Sequence, residues 1–303
     1  MTKIAVTAGQ KWVDIDAYAC IVAYTELLKL EGKDAEAVNP GVLNASIPDY
    51  LAELGVCRPA PTEPECGVVL VDISDPNFVA SFVTPDKVIE IYDHHLGHET
   101  YWRERVGSDS HIEFIGACAT LIWEEFIKRN LDQRISLNSA TLLAAAIVSN
   151  TLNFKAFVTN ERDHKAFQEL VKHADLPPDF IASYFRSCET TLLSDIASAL
   201  KNDTKIRDFA NFGVPLVIGQ CELWESGKFI RENKQAIENA LSMVPHWILT
   251  APSISEGLNH LYATNQEMKD WFTKAVQVKW DGDFGTTSRL YMRKEIVPAL
   301  IKL

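Results

Sequence analysis

The chain lacks any apolar run approaching the roughly 20 residues that cross a bilayer, so no membrane span is expected. It also lacks a Cys-x-x-Cys pair. Its six cysteines, Cys20, Cys57, Cys66, Cys118, Cys188 and Cys221, are scattered through apolar or helical contexts. They read as buried thiols of a reducing cytosol, not as a disulfide framework or a zinc site, although Cys57 and Cys66 flank a proline-rich loop and could pair in an oxidising setting. Internal repeats, low-complexity tracts and long single-sign charge runs are missing too, which argues against solenoid arrays and a charged disordered tail. Nor is there an excess of positive charge. The formal net charge is −12, from 29 basic and 41 acidic residues, and it opposes non-specific adhesion to nucleic acid or anionic lipid. The opening residues Lys3–Thr7 read as a first strand, no signal peptide is expected, and the expected location is cytoplasmic.

With 303 residues, 47% of them hydrophobic, the chain has enough apolar material for ordinary cores and is long for one domain. Strand-like runs at 3–7, 35–38 and 68–71 alternate with helical patterns at 16–30 and 48–54. That alternation predicts an α/β fold with a parallel sheet and helices on both faces. Helices are expected at 118–129, 139–149 and 161–172, the last capped by Thr159 or Asn160. After a polar helical stretch at 183–200 the pattern changes, with strand-like runs at 214–219, 246–251 and 258–263 and helices at 228–241 and 265–276. The expected organisation is a first domain over 1–187 and a second, smaller α/β domain over 194–303.

Acidic and imidazole side chains gather where the strands end. Asp14 and Asp16 follow the first strand, Asp72 closes Val68-Val69-Leu70-Val71, and Asp93-His94-His95 closes Val88-Ile89-Glu90-Ile91. In an open parallel sheet the crevice for chemistry lies beyond the carboxyl ends of the strands, so these residues are candidates for a metal site. Asp14 and Asp16, read as extended, would share a side; as a turn or cap they would instead be local hydrogen-bond acceptors. A terminal Asp after a buried strand suffers desolvation unless a metal or hydrogen bonds compensate. Adjacent His94 and His95 point in different directions, so one can ligate a metal while the other contacts a ligand, and Asp93 can fix a ring through its second nitrogen.

In that order and context, the chain resembles the DHH phosphoesterases, within the branch of family II inorganic pyrophosphatases, yeast-type exopolyphosphatases and prune proteins. Val13-Asp14-Ile15-Asp16-Ala17, Val69-Leu70-Val71-Asp72 and Asp93-His94-His95 resemble the first three motifs. Ile115-Gly116-Ala117-Cys118-Ala119-Thr120 resembles the segment that follows. Val148-Ser149-Asn150-Thr151-Leu152-Asn153-Phe154-Lys155, with Thr159 and Asp163 beyond, resembles the fourth motif. In the second half, Asp203-Thr204-Lys205 and Met292-Arg293-Lys294-Glu295-Ile296-Val297-Pro298 resemble the substrate-lysine segment and the closing Arg-Lys motif.

The resemblance implies that Asp14 and Asp72 bind one ion, that Asp16, Asp72 and His94 bind a second, and that Asp72 bridges them. Together with Asp93 and His95 these form the catalytic set, while His95, Lys205, Arg293 and Lys294 would hold phosphates. Two ions roughly 3.5–4 Å apart activate water at neutral pH and stabilise in-line displacement at phosphorus. Two positions depart from the pattern. Gln10 stands where the pyrophosphatases carry a metal-binding His and the exopolyphosphatase group carries Asn; Asn150 stands where the fourth motif supplies an Asp. Both are kept as candidate metal ligands, and an amide in place of a charge makes oxygen-preferring Mg²⁺ as suitable as Mn²⁺.

The expected function is metal-dependent hydrolysis of phosphoanhydride bonds in pyrophosphate or polyphosphate, at a site between two domains. One alternative is a degenerate homologue that binds phosphates or a partner with little turnover. Another is a nuclease or cyclic-dinucleotide phosphodiesterase on the same scaffold. The second domain of such proteins carries a glycine-rich motif that this sequence does not show, so no nucleic-acid partner is expected.

Overall fold

The computed structural model describes residues 3–61, 67–174, 176–202, 204–209 and 212–303, so Cys66 and Asp203 lie outside the described residues. The chain divides into two compact units: Met1–Phe154 with Val158–Tyr184, and Lys155–Phe157 with Phe185–Leu303.

The first unit is built on six parallel strands: β1 (Ile4–Thr7), β2 (Ala35–Asn39), β3 (Arg58–Pro59), β4 (Gly67–Val71), β5 (Val88–Asp93) and β6 (Ser110–Ile112). Their order across the sheet is β3-β2-β1-β4-β5-β6, a doubly wound arrangement that changes direction between β1 and β4. The unit's longer helices are α1 (Ile15–Leu30), α2 (Glu99–Val106), α3 (Cys118–Lys128), α4 (Leu137–Asn150) and α5 (Glu161–Leu170), and a single helical turn, Asp49–Ala52, stands where a helix is expected at 48–54. Ile91 packs with Trp102 of α2 in one apolar cluster, whereas its neighbour Tyr92 meets Tyr24 of α1 at a ring separation of 4.9 Å. Successive strand residues point to opposite faces, so α1 and α2 cover opposite sides of the sheet. The two-faced parallel sheet expected from the alternation is present.

Local chemistry sets the helix starts. Asp14 caps α1 by accepting from the Ala17 N–H, Ser136 caps α4, and Asn160 with Asp163 forms a capping box on α5. The expected helix at 161–172 therefore begins as read and ends two residues earlier.

The second unit carries a mixed six-stranded sheet in the order Lys279–Asp281, Phe284–Thr286, Leu258–Tyr262, Trp247–Ser253, Val214–Gln220, Thr204–Phe209. Only the central pair, Val214–Gln220 with Trp247–Ser253, is parallel. Alternate residues feed two cores: Val217 and Leu249 lie in one, Leu216, Ile218 and Ile248 in the other. The helix expected over 228–241 is two helices, Ser226–Glu232 and Lys234–Leu241, meeting at Asn233. The hairpin Lys279–Thr286 and the three-residue β6 were not read from the sequence. Strands this short owe their pairing to neighbours more than to their own pattern.

Candidate metal centre

The site sits at the change of direction in the first sheet. Asp72 follows β4 and Asp93 is the last residue of β5, while Asp14 lies beyond the end of β1, directly after the short strand Lys11–Val13 that pairs with Gly41–Leu43, so the carboxyl side of three adjacent strands gathers them at one crevice. Asp72 adopts a left-handed conformation, φ 56°, directly after the strand. Asp tolerates that region better than most residues, and such strain, of order 1–3 kcal/mol, gathers at functional sites. Gln10, Asp14, Asp72 and His95 line a cleft of about 170 Å³, rimmed by the exposed rings of Trp12 and Phe78.

The two imidazoles are fixed from behind. His94 Nδ1 lies 3.0 Å from the Ile115 carbonyl, which can only accept, so this nitrogen carries the proton and Nε2 faces the centre. His95 Nδ1 lies 2.9 Å from Asp93 Oδ1, which also accepts the His94 N–H at 2.8 Å. The rings are 4.4 Å apart and inclined at 71°, so they face different directions, as adjacent histidines should. Burial works against the charge of Asp93, yet its hydrogen bond to His95 holds the carboxyl below the usual range. Partial desolvation opposes charge on His95, and the Asp93 hydrogen bond with the Asp72 charge raises it overall.

Asp72 Oδ1 is buried and, among the described residues, has no hydrogen-bond partner. It lies 3.3 Å from His94 Nε2, within ion-pair distance but not aligned as a hydrogen bond. Asp72, His94 and His95 can bring one ligand atom each to within 4.8 Å of one another. Burial, then repulsion from Asp16 and Asp14, pushes Asp72 well above the usual carboxylate range. Burial also raises Asp16, with Asp14 adding to it and His94 opposing. Clustered carboxylates driven toward protonation, beside an imidazole nitrogen, are a donor set that a divalent cation fits.

Asp14 and Asp16 do not lie on an extended segment. The chain is already helical at Ile15, so Asp14 caps α1 beside the cleft while Asp16 is fully buried. Asp16 turns toward the N-terminus of α3: Oδ2 accepts the Cys118 N–H and Oδ1 the Ala119 N–H, both at 2.8 Å. Oδ2 also lies 3.9 Å from His94 Nε2. The helix end, with its unpaired N–H groups and positive dipole, holds this carboxylate. Gly116, just before this helix end, lets Asp163 close on the backbone there, since a Cβ at 116 would fall 2.5 Å from the Asp163 carboxylate. Asp163 accepts the Gly116 N–H and the Thr120 hydroxyl, pinning the start of α3. Burial pushes Cys118 up to about 12 and Cys20 well above its ordinary value, so both are protonated thiols rather than thiolate ligands.

Gln10 is exposed on the cleft, and Asn150, the last residue of α4, directs Nδ2 at Asp16 Oδ2. The backbone partners of His94 and Asp16 were not read from the sequence, because a carbonyl or N–H has no residue signature; neither were the rim residues Trp12 and Phe78.

In the second unit, Lys205 pairs with Ile218 in the sheet, Arg293 donates its backbone N–H to Gln220 Oε1 at 2.8 Å, and the Arg293 guanidinium lies 3.5 Å from the Ile218 carbonyl. The strand Val214–Gln220 thus borders both. Lys294 follows in the first turn of the helix Arg293–Ile301. The side chains of Lys205 and Lys294 lie outside the described residues.

No family model matches the chain. A probable manganese-dependent inorganic pyrophosphatase of Lactobacillus helveticus is 24% identical over 310 aligned residues, covering 96% of each chain. The chain is related to the manganese-dependent inorganic pyrophosphatases. A counterpart from Exiguobacterium sp. is 30% identical over 176 residues, a match spanning 55% of this chain and about half, 54%, of that relative. Among solved structures, a Methanococcus jannaschii protein described as a "putative family II inorganic pyrophosphatase" superposes with TM-score 0.66 at 21% identity, covering 99% of this chain and 98% of the other. An exopolyphosphatase-related protein of Bacteroides fragilis superposes with TM-score 0.50 at 14% identity, covering 99% and 92%. These two likenesses establish the fold.

Proposed function

We propose that the protein hydrolyses phosphoanhydride bonds of pyrophosphate or inorganic polyphosphate, using divalent cations held at the ends of β1, β4 and β5. The observation that carries this reading is the buried, unpartnered Oδ1 of Asp72 facing His94 Nε2 at 3.3 Å. Asp14, Asp16, Asp72 and His94 would hold Mn²⁺ or Mg²⁺ in a centre with places for two ions around Asp72. When bound, the cations activate water and neutralise charge developing on the phosphate. Ile115 and Asp93 fix the two rings, so His94 offers Nε2 to the centre while His95, oriented by its hydrogen bond to Asp93, meets a phosphate oxygen in the cleft. Lys205, Arg293 and Lys294 are assigned to the leaving phosphate, where fixed positive charge counts most in the transition state. The free thiols among the described residues suit a reducing, cytoplasmic setting. No helix among the described residues is long and apolar enough to cross a membrane.

The amides Gln10 and Asn150 favour a second reading, a phosphate-binding homologue with little turnover. Phosphate release from pyrophosphate, tripolyphosphate and long polyphosphate, each with Mn²⁺, Mg²⁺ or Co²⁺, separates the two. Release with at least one pair is expected. Binding of the anions without release under every condition would establish the second reading.

A further inference from the structure

Asn150 stands where the resemblance leads to an acidic metal ligand, and its geometry assigns it other work. Its Nδ2 lies 2.5 Å from Asp16 Oδ2. The amide nitrogen, not the amide oxygen, faces Asp16, as an ionised carboxylate, which only accepts, demands when no cation lies between them. Asp16 Oδ2 then receives two N–H donors, Asn150 and Cys118, while Oδ1 receives the Ala119 N–H and, at 3.6 Å, the Cys20 thiol. An ionised carboxylate has about four lone-pair sites, and each oxygen of Asp16 already serves two donors. Asp72 Oδ1 is the contrast, buried and unpartnered among the described residues.

We infer that Asn150 is a positioning residue that acts through Asp16, holding that carboxylate by hydrogen bond where a second ion would otherwise hold it, so that the resting protein takes one divalent ion, between Asp72 and His94. This rests on the reading of the site as a metal centre. An aspartate at 150, a half-buried position, would place a second carboxylate at that separation from the buried Asp16, a repulsion that a cation relieves. The amide removes the repulsion and with it the demand for the second cation. The ion-free protein keeps Asp16 in place, at the cost of one negative charge in the centre.

The test compares the parent with Asn150→Asp in Mn²⁺ stoichiometry, by equilibrium dialysis with elemental analysis, and in thermal unfolding with and without Mn²⁺. One ion per parent chain and two per variant are expected. The ion-free variant should melt several degrees below the parent and recover with Mn²⁺ by more than the parent gains. Anomalous diffraction from parent crystals soaked in Mn²⁺ supplies a readout that does not depend on the variant folding, and one peak beside Asp72 and His94 is expected. Two ions on the parent, or a peak within coordination distance of the Asn150 amide oxygen, would overturn the inference and leave the functional reading intact. No ion on either protein would overturn both.

Discussion

Asp72 Oδ1 and His94 Nε2 face each other 3.3 Å apart, each with electron density to give and neither satisfied by the other. The His94 proton is on the opposite nitrogen, held by the Ile115 carbonyl. A cation between the two atoms is what the proposed function requires, and the first prediction follows from removing the Asp72 charge that would hold it.

Asp72→Asn keeps the shape of the side chain, and Asn accepts the left-handed backbone that position 72 requires. The variant should fold, melt no lower than the ion-free parent because a crowded negative site is relieved, and lose phosphate release by roughly two orders of magnitude or more. Circular dichroism and a Mn²⁺ titration check this. Full metal retention with lost activity would contradict the ligand role given to Asp72.

Gln10 is exposed on the same cleft as Asp14 and Asp72. Gln10→His should strengthen Mn²⁺ binding more than Mg²⁺ binding, because imidazole suits transition metals. Calorimetric titrations of both ions decide it; equal gains for the two metals would mean that position 10 does not reach the ion.

Gly116→Ala tests the seating of α3. The added Cβ would meet the Asp163 carboxylate at 2.5 Å and the Thr151 methyl carbon at 2.7 Å. A loss of about 1–3 kcal/mol is expected from overpacking. Because the displaced helix end also holds Asp16, metal affinity should fall with it. A variant that loses stability but keeps its Mn²⁺ affinity would show that the α3 N-terminus does not orient Asp16.

Away from the centre, Glu125 accepts from Lys128 at 2.7 Å and from Arg129 at 3.0 Å, with its side chain only 8% exposed. Burial opposes its charge, but these two partners hold its carboxyl below the ordinary 4.5. Its folded value is depressed, so the contribution is fully present above 4.5 and is lost as the pH falls through that lower value. Glu125→Gln should therefore cost about 1–2 kcal/mol at pH 7 and progressively less in acid. Denaturant melts of the two proteins from pH 7 down to pH 3 measure the difference; a gap that stays constant with pH would rule out the charge as its source.

By itself the sequence determined the parts that depend on residue type and local period. The alternation of strand and helix, a cap for α5 at Thr159 or Asn160, and acidic or imidazole residues at three strand ends were legible because side-chain periodicity and strand-end position are local properties; the structure chose Asn160. The order β3-β2-β1-β4-β5-β6, which makes neighbours of those three strand ends, was decided only by the tertiary structure. So was Asp16: spacing suggested a shared face with Asp14, but the chain turns helical at Ile15 and sends the carboxylate to the backbone of α3. Asn150 shows the same division. Its identity was plain in the sequence, but whether its amide nitrogen or oxygen meets the centre depends on Asp16, 134 residues away, whose carboxylate only accepts.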